Sequence, residues 1–231
     1  MRRALALLLI SAAAVVAVPA IASGGGGPEV DLDLVSPKEP LTFEAKFDHG
    51  TCVEGEFKFD LTANGNEVVP ISATQDAADP DRFVFVLPSD TPPGVMAIEI
   101  ECDDGEEGAQ ASDSQEWAAL AVTKVVSGPA AADATFTVHV DCIGAKGDEV
   151  DASDIAVDFD ADLQYGAAGG VHYVYSDHEA SCTITEPVNG GATSVSIVQP
   201  VVDLDDNAAF TATVTNTFPA AAVVIQPTFT G

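Results

Sequence analysis

The chain has 231 residues, of which 37 are acidic and 8 are basic, and its formal net charge at pH 7 is −29. A surface this acidic repels nucleic acid and anionic lipid, so we expect neither as a partner. Hydrophobic residues make up 47% of the chain, which argues against disorder, and the length of the chain is enough for two folded domains.

The first 22 residues have the pattern of a secretory signal peptide. Arg2-Arg3 is a basic start, residues 4–18 are apolar, and Ala20-Ile21-Ala22 is a small-residue cleavage site. A retained membrane helix is the alternative, because the apolar stretch is long. After the signal peptide is cleaved, no later apolar segment would be long enough to span a membrane. We therefore expect a secreted or extracellular protein with no membrane insertion after cleavage.

The first half of the mature chain predicts a β-sandwich over residues 29–105, preceded by a flexible leader at 23–28. Short runs with apolar residues at every second position alternate with turn sequences such as Asn64-Gly65 and Pro92-Pro93-Gly94. No window shows sustained helical periodicity. Residues 106–118 are polar and acidic and predict a linker, with Trp117 packing at the domain junction.

The second half predicts another β-sandwich, over residues 119–218, followed by a tail at 219–231. The fold class is therefore all-β, with two tandem sandwich domains. Glycine-containing turns separate the expected strands. After Leu120 these strands are 134–142, 155–159, 171–175, 182–186, 193–198 and 209–218.

Four cysteines in an exported chain predict two disulfides. Three pairings are possible, and one bridge within each half is favoured, because Cys52 and Cys102 lie in the first half and Cys142 and Cys182 in the second. The C-x-x-C spacing of zinc sites is absent.

Three polar side chains of the second half, Lys124, Glu186 and Asn216, lie in phase with the inward-facing apolar residues of their own strands. Burial of a lysine disfavours its charged form and exposes a nucleophilic amine. We therefore expect an amide between Lys124 and Asn216, formed by the protein on itself with Glu186 as proton shuttle. In the alternative, Lys124 extends to solvent and pairs with Glu186, while Asn216 caps a turn.

The sequences around these residues, V-T-K-V-V-S-G, C-T-I-T-E-P and T-V-T-N-T-F, resemble the first-strand Lys, middle Glu and last-strand Asn of CnaB-type domains. These prealbumin-like sandwich modules belong to Gram-positive pilins and adhesins, and many carry an intramolecular isopeptide bond. The resemblance covers about residues 119–218. It is closer still to actinobacterial surface domains of unknown function that add two cysteines, here Cys142 and Cys182.

The pattern departs from the family at Pro187-Val188-Asn189-Gly190-Gly191, where the family has an aromatic residue after a proline-glycine turn. The first half is similar to Ig-like domains of actinobacterial secreted proteins, through residues 50–55 and 93–105. Lys46 and Lys58 alternate with phenylalanines and should face outward, so no second cross-link is expected.

Two acidic runs could bind calcium, Asp158-Phe159-Asp160-Ala161-Asp162 on one strand and residues 203–207 in a predicted loop, but neither has EF-hand spacing. His172 and His178 lack the spacing of a metal pair. Hydrolase-elbow, P-loop and dinucleotide-binding motifs are absent. We therefore expect no enzyme activity, no metal and no cofactor.

The sequence thus predicts a structural or adhesive module, secreted or at the cell surface, with an extracellular partner that it does not identify. The alternative is a calcium- or glycan-binding module that uses the acidic loops. Residues 219–231 contain no L-P-x-T-G sorting motif, so covalent wall anchoring by that route is not predicted.

Overall fold

The computed structural model describes residues 29–48, 56–103, 109–144, 158–177, 179–205 and 208–219. Every regular element in these ranges is a β-strand, which confirms the predicted all-β fold class. None of the elements described is a helix that could cross a membrane. The strands are β1 (Glu29–Leu34), β2 (Thr42–Asp48), β3 (Glu56–Ala63), β4 (Asn66–Glu67), β5 (Ser72–Gln75), β6 (Arg82–Val86), β7 (Gly94–Asp103), β8 (Ala109–Ser127), β9 (Thr135–Gly144), β10 (Asp158–Gly166), β11 (Gly170–Ser176), β12 (Ala180–Asn189), β13 (Ser194–Val198), β14 (Val201–Leu204) and β15 (Ala209–Thr217).

The first sandwich packs two sheets around one apolar core. One sheet has the strand order β1-β2-β6-β5, and the other contains β4, β3, β7 and the first half of β8. In β1, β2, β6 and β7 every second side chain points inward, as a sheet with one solvated face requires. Leu32, Phe43 and Phe85 fill the core from the first sheet, and Leu61 and Ile98 fill it from the second.

The second sandwich is built in the same way around a separate core. One sheet has the order β10-β9-β12-β14, and the facing sheet contains β13, β15, the second half of β8 and β11. Phe136 and Val140 enter the core from the first of these sheets, and Val122 and Val214 enter it from the second. The pairing of β15 with β8 is parallel, whereas the other described strand pairs are antiparallel.

A single strand, β8, joins the two sandwiches. Its residues 109–117 pair with β7, and the rest of the strand pairs with β11 and β15. Trp117 and Ala119 pack in the first core, whereas Ala118 and Leu120 pack in the second. Because successive side chains of a strand point to opposite faces, one strand can line both cores where they meet.

The predicted linker at 106–118 was therefore wrong from Ala109 onwards, since these residues form the first part of β8. Their polar character misled the sequence interpretation, because the polar side chains occupy mainly the solvated face of the strand. The inward-facing Asp113 bonds instead to the backbone, with its Oδ2 accepting a hydrogen bond from the Leu32 amide at 2.8 Å. Residues 106–108 lie outside the described residues.

Trp117 packs at the domain junction as predicted. Its side chain is fully buried and makes edge-to-face contacts with Phe43 and with Tyr175 of β11, at ring-centroid distances of 5.9 Å and 5.8 Å. The loop after β1 also reaches the second sandwich, where the Tyr175 amide donates to the Pro37 carbonyl at 2.9 Å.

Two further local predictions differ from the structure in part. The predicted strand 155–159 is described as a longer strand, β10, that continues to Gly166, and residues 155–157 lie outside the described residues. The acidic run 203–207, predicted as a loop, begins inside β14, where Val202 and Leu204 face the core. Only two inward apolar residues mark β14, too few for the alternating pattern to be recognised.

Candidate cross-link site in the second sandwich

Two of the three predicted site residues lie on neighbouring strands of one sheet. Lys124 on β8 and Asn216 on β15 are diagonal neighbours, because the parallel register pairs Lys124 with Val214 and Val126 with Asn216. Both side chains point into the second core, where Lys124 is 3% and Asn216 0% exposed. Residues that lie 92 positions apart in the sequence are thereby brought into contact.

The third residue, Glu186, reaches the site from the opposite sheet. It lies on β12 at a β-bulge, where the register with β9 shifts between Thr185 and Val188. Glu186 and Pro187 there stand opposite a single residue of β9. A bulge changes the direction in which a side chain points. Proline, which has no N–H to donate, is tolerated there because the hydrogen bonds between the strands are interrupted. The Glu186 side chain is 1% exposed.

The three side chains contact one another directly. Lys124 Nζ lies 2.5 Å from Glu186 Oε1 and also donates to Asn216 Oδ1. Asn216 Nδ2 donates to the same Glu186 Oε1 at 3.1 Å and to the Asn189 carbonyl at 2.9 Å. One carboxylate oxygen therefore contacts both the amine nitrogen and the amide nitrogen, which is the arrangement needed to carry a proton between them.

The electrostatics of the site favour a reactive lysine. Burial lowers the pKa of Lys124, and the hydrogen bond and the charge of Glu186 partly oppose that shift. The second oxygen of Glu186, Oε2, is buried and has no hydrogen-bond partner within the described ranges. A buried polar atom without a partner is costly in a structural ion pair.

An aromatic residue that the sequence interpretation did not assign to the site covers the lysine. The Phe136 ring on β9 lies with its centroid 4.8 Å from Lys124 Nζ. Gly190 packs against this ring at a φ of +60°, and a Cβ there would lie 2.5 Å from Phe136 Cε1. The period-two pattern shows that Phe136 faces inward, but only the packing of the two sheets against each other brings it to the lysine.

The structure thus brings together the three residues that the sequence predicts. The alternative, in which Lys124 extends to solvent, does not fit a side chain that is fully buried. Its ion pair with Glu186 is present, and Asn216 Nδ2 does bond to the Asn189 carbonyl at the turn after β12, but Asn216 also contacts both Lys124 and Glu186.

The predicted cysteine pairs have different outcomes. Cys142 and Cys182 form a buried disulfide between the neighbouring strands β9 and β12. The bridge between Cys52 and Cys102 stays a prediction, because Cys52 lies outside the described residues and the side chain of Cys102 is likewise not described.

The other candidate residues do not converge on a second site. Lys46 and Lys58 are exposed, as predicted. Asp162 pairs with His139 at 2.9 Å, and His172 with Glu39 at 2.9 Å. His178, Asp206 and Asn207 lie outside the described residues. Where side chains are described, no group of three or more His, Cys, Asp or Glu residues is arranged to hold a metal ion.

Comparison with known proteins finds a family match in the second half of the chain. Residues 120–219 match a family model described as a domain of unknown function, DUF5979. This match covers less than half of the chain. A search of curated proteins found no match.

Solved structures similar to the chain include Gram-positive major pilins. The Corynebacterium diphtheriae major pilin SpaA is 12% identical, with a TM-score of 0.34 over 81% of this chain and 69% of that chain. The Streptococcus pyogenes major pilin is 12% identical, with a TM-score of 0.32 over 86% of this chain and 100% of that chain. Likeness at this level carries no conclusion about function.

Proposed function

We propose that the protein is a secreted or cell-surface structural or adhesive module of the CnaB type, closed by an intramolecular isopeptide bond between Lys124 and Asn216. The observation that carries this proposal is the buried contact of Lys124, Glu186 and Asn216. A salt bridge alone would not need a carboxamide between its partners. A self-formed amide accounts for all three residues and removes a costly buried charge.

The reaction balances without a cofactor or an external reactant. The neutral Lys124 amine attacks Asn216 Cγ, the new C–Nζ bond forms, and the bond from Cγ to Nδ2 breaks. Glu186 Oε1 takes the proton that Nζ loses and transfers it to Nδ2, which leaves as ammonia. Its contacts of 2.5 Å to Nζ and 3.1 Å to Nδ2 suit this transfer. Phe136 covers the amine and would exclude water from it.

The position of the bond suits a module that bears load or resists proteases. It would join β8 and β15, which enclose every other strand of the second sandwich in the sequence and pair in parallel. Tension applied at the two ends would pass through the amide and leave the strands between them unloaded. The disulfide between Cys142 and Cys182 adds a second covalent link and suits an oxidising, extracellular compartment.

Intact mass measurement tests the bond directly. After reduction, the wild-type chain is expected to weigh one ammonia less than its sequence mass. Lys124→Ala and Asn216→Ala should each restore the sequence mass. The matched control is Lys46→Ala, which changes an exposed lysine and should keep the deficit. A wild-type chain of full sequence mass would remove the isopeptide from the proposal.

The rate of bond formation should rise with pH, because the neutral amine is the nucleophile. Burial lowers the pKa of Lys124, so the rate should stop rising at a pH below about 10.4, which is the pKa of an exposed lysine. Freshly made protein can be held at low pH, shifted to a pH series, and followed by the loss of ammonia. A rate that does not change with pH would contradict the role given to the amine.

A further inference from the structure

The pairing of β9 with β12 contains an extra residue that is confined between two fixed points. On one side, Cys182 lies directly opposite Cys142, and the disulfide joins the two strands there. On the other side, Asn189 lies opposite Phe136. Between these points β12 has one residue more than β9, and the bulge at Glu186 accommodates this extra residue.

The position of this bulge decides which way Glu186 points. If the bulge moved beyond the N-terminal end of β12, the strand would shift by one residue against β9. Glu186 would then take the place of Thr185 opposite His139. His139 faces solvent, with a third of its side chain exposed. A one-residue slip moves side chains to the other face of the sheet, so the Glu186 carboxylate would leave Lys124 and Asn216.

Packing alone specifies this register weakly. Between Cys182 and the bulge, Ile184 is the one side chain of β12 that is buried in the core, and Thr183 and Thr185 are exposed. Beyond the bulge, Val188 is 45% exposed. The disulfide is therefore the strongest constraint on the register at the N-terminal side of Glu186, because its covalent link forbids the slip.

We propose that the Cys142–Cys182 disulfide is a positioning element for amide formation, which holds β12 in the register that presents Glu186 to Lys124 and Asn216. Closure of the Lys124–Asn216 bond thereby depends on the oxidation state of this cysteine pair. The inference rests on the proposed isopeptide. It assigns no chemistry to the sulfur atoms, which lie outside the contact of the three reacting side chains.

The same arrangement predicts an order of events in an exported chain. A reducing compartment would leave β12 free to slip and would delay the cross-link, and an oxidising compartment would fix the register and allow it. The Lys124–Asn216 amide would then form after export, when both sandwiches can fold.

The experiment follows ammonia loss by intact mass in the mature chain synthesised without cells, with either reductant or an oxidising glutathione buffer. The Cys142→Ala/Cys182→Ala variant is tested in the oxidising buffer, where any bridge between Cys52 and Cys102 is still able to form. We expect the variant, and the wild type in reductant, to form the amide about ten- to a hundredfold more slowly, the loss typical of a misplaced catalytic group.

The matched control is Val202→Ala. Val202 is buried opposite Cys182 on β14, so its truncation weakens the same core without freeing the register of β12 against β9. This variant should keep the wild-type rate in oxidising buffer. Circular dichroism shows whether each variant is folded. If the double alanine variant does not fold, Cys142→Val/Cys182→Val, which refills the core, is used in its place.

The outcomes separate this inference from the proposed function. If the oxidised wild type and the cysteine variant lose ammonia at the same rate, the positioning role is overturned. The isopeptide itself would then still stand. Equal slowing by Val202→Ala would also overturn it, because the effect would then be one of stability. An oxidised wild type that never loses ammonia would remove the isopeptide itself.

Discussion

Asn216→Ala is expected to lower the free energy of unfolding of the second sandwich by about 4–5 kcal/mol. The amide would close a loop between residues 92 positions apart, and the chain-entropy model gives about this value for a cross-link of that span. Asn216→Ala is preferred to a Lys124 substitution because it leaves the buried pair of Lys124 and Glu186 intact. Removing one partner of that pair would itself cost about 3–5 kcal/mol.

Urea unfolding followed by far-ultraviolet circular dichroism measures this loss. Thr217→Ala is the control, because Thr217 lies next to Asn216 on β15 but is exposed, and its truncation should change little. Glu186→Gln keeps the Asn216 side chain but should not form the bond, and it also removes the charged partner of the buried Lys124, so its loss should exceed that of Asn216→Ala. If Asn216→Ala and Thr217→Ala unfold at the same urea concentration, the cross-link does not stabilise the folded state.

Trp117→Ala is expected to destabilise the protein by about 3–5 kcal/mol, the usual cost of truncating a large buried aromatic side chain. Trp117 is fully buried on β8, and its ring contacts Phe43 of the first sandwich and Tyr175 of the second. Because these contacts connect the two cores, the variant should also unfold less cooperatively, with the two halves separating into distinct transitions.

Trp117→Phe provides the matched comparison. It keeps an aromatic ring between Phe43 and Tyr175 and removes the indole N–H, which is buried without a hydrogen-bond partner among the residues described. A loss below about 1.5 kcal/mol is therefore expected, as for other apolar replacements of similar shape. The measurement is urea unfolding with a probe in each half. A loss below about 1 kcal/mol for Trp117→Ala would show that the two cores do not depend on this contact.

The shared strand also limits how the two halves can move. A flexible linker would let the sandwiches reorient, whereas the hydrogen-bonded β8 runs from one sheet directly into the next. The contact between Pro37 and Tyr175 adds a second connection at the same junction. The structure therefore favours two sandwiches connected through β8 over two domains joined by a flexible linker.

The amino-acid sequence alone shows the face of the strand on which each key side chain lies. Alternation of apolar residues has a period of two, and this local property placed Lys124, Glu186 and Asn216 toward the core before any strand had been paired. It also identified the all-β class and placed Trp117 at the junction. The inward faces depend only on neighbours within one strand, whereas the position of Trp117 follows from the predicted boundary between the two halves.

Tertiary structure decided which inward-facing residues meet. The parallel register of β15 with β8 brings Asn216 to Lys124, and the bulge in β12 presents Glu186 to both. The packing of the two sheets brings Phe136 over the lysine, and the pairing with β7 makes residues 109–117 of the predicted linker part of β8. Strand partners and register arise from contacts between residues far apart in the chain, and a period-two pattern carries no information about them.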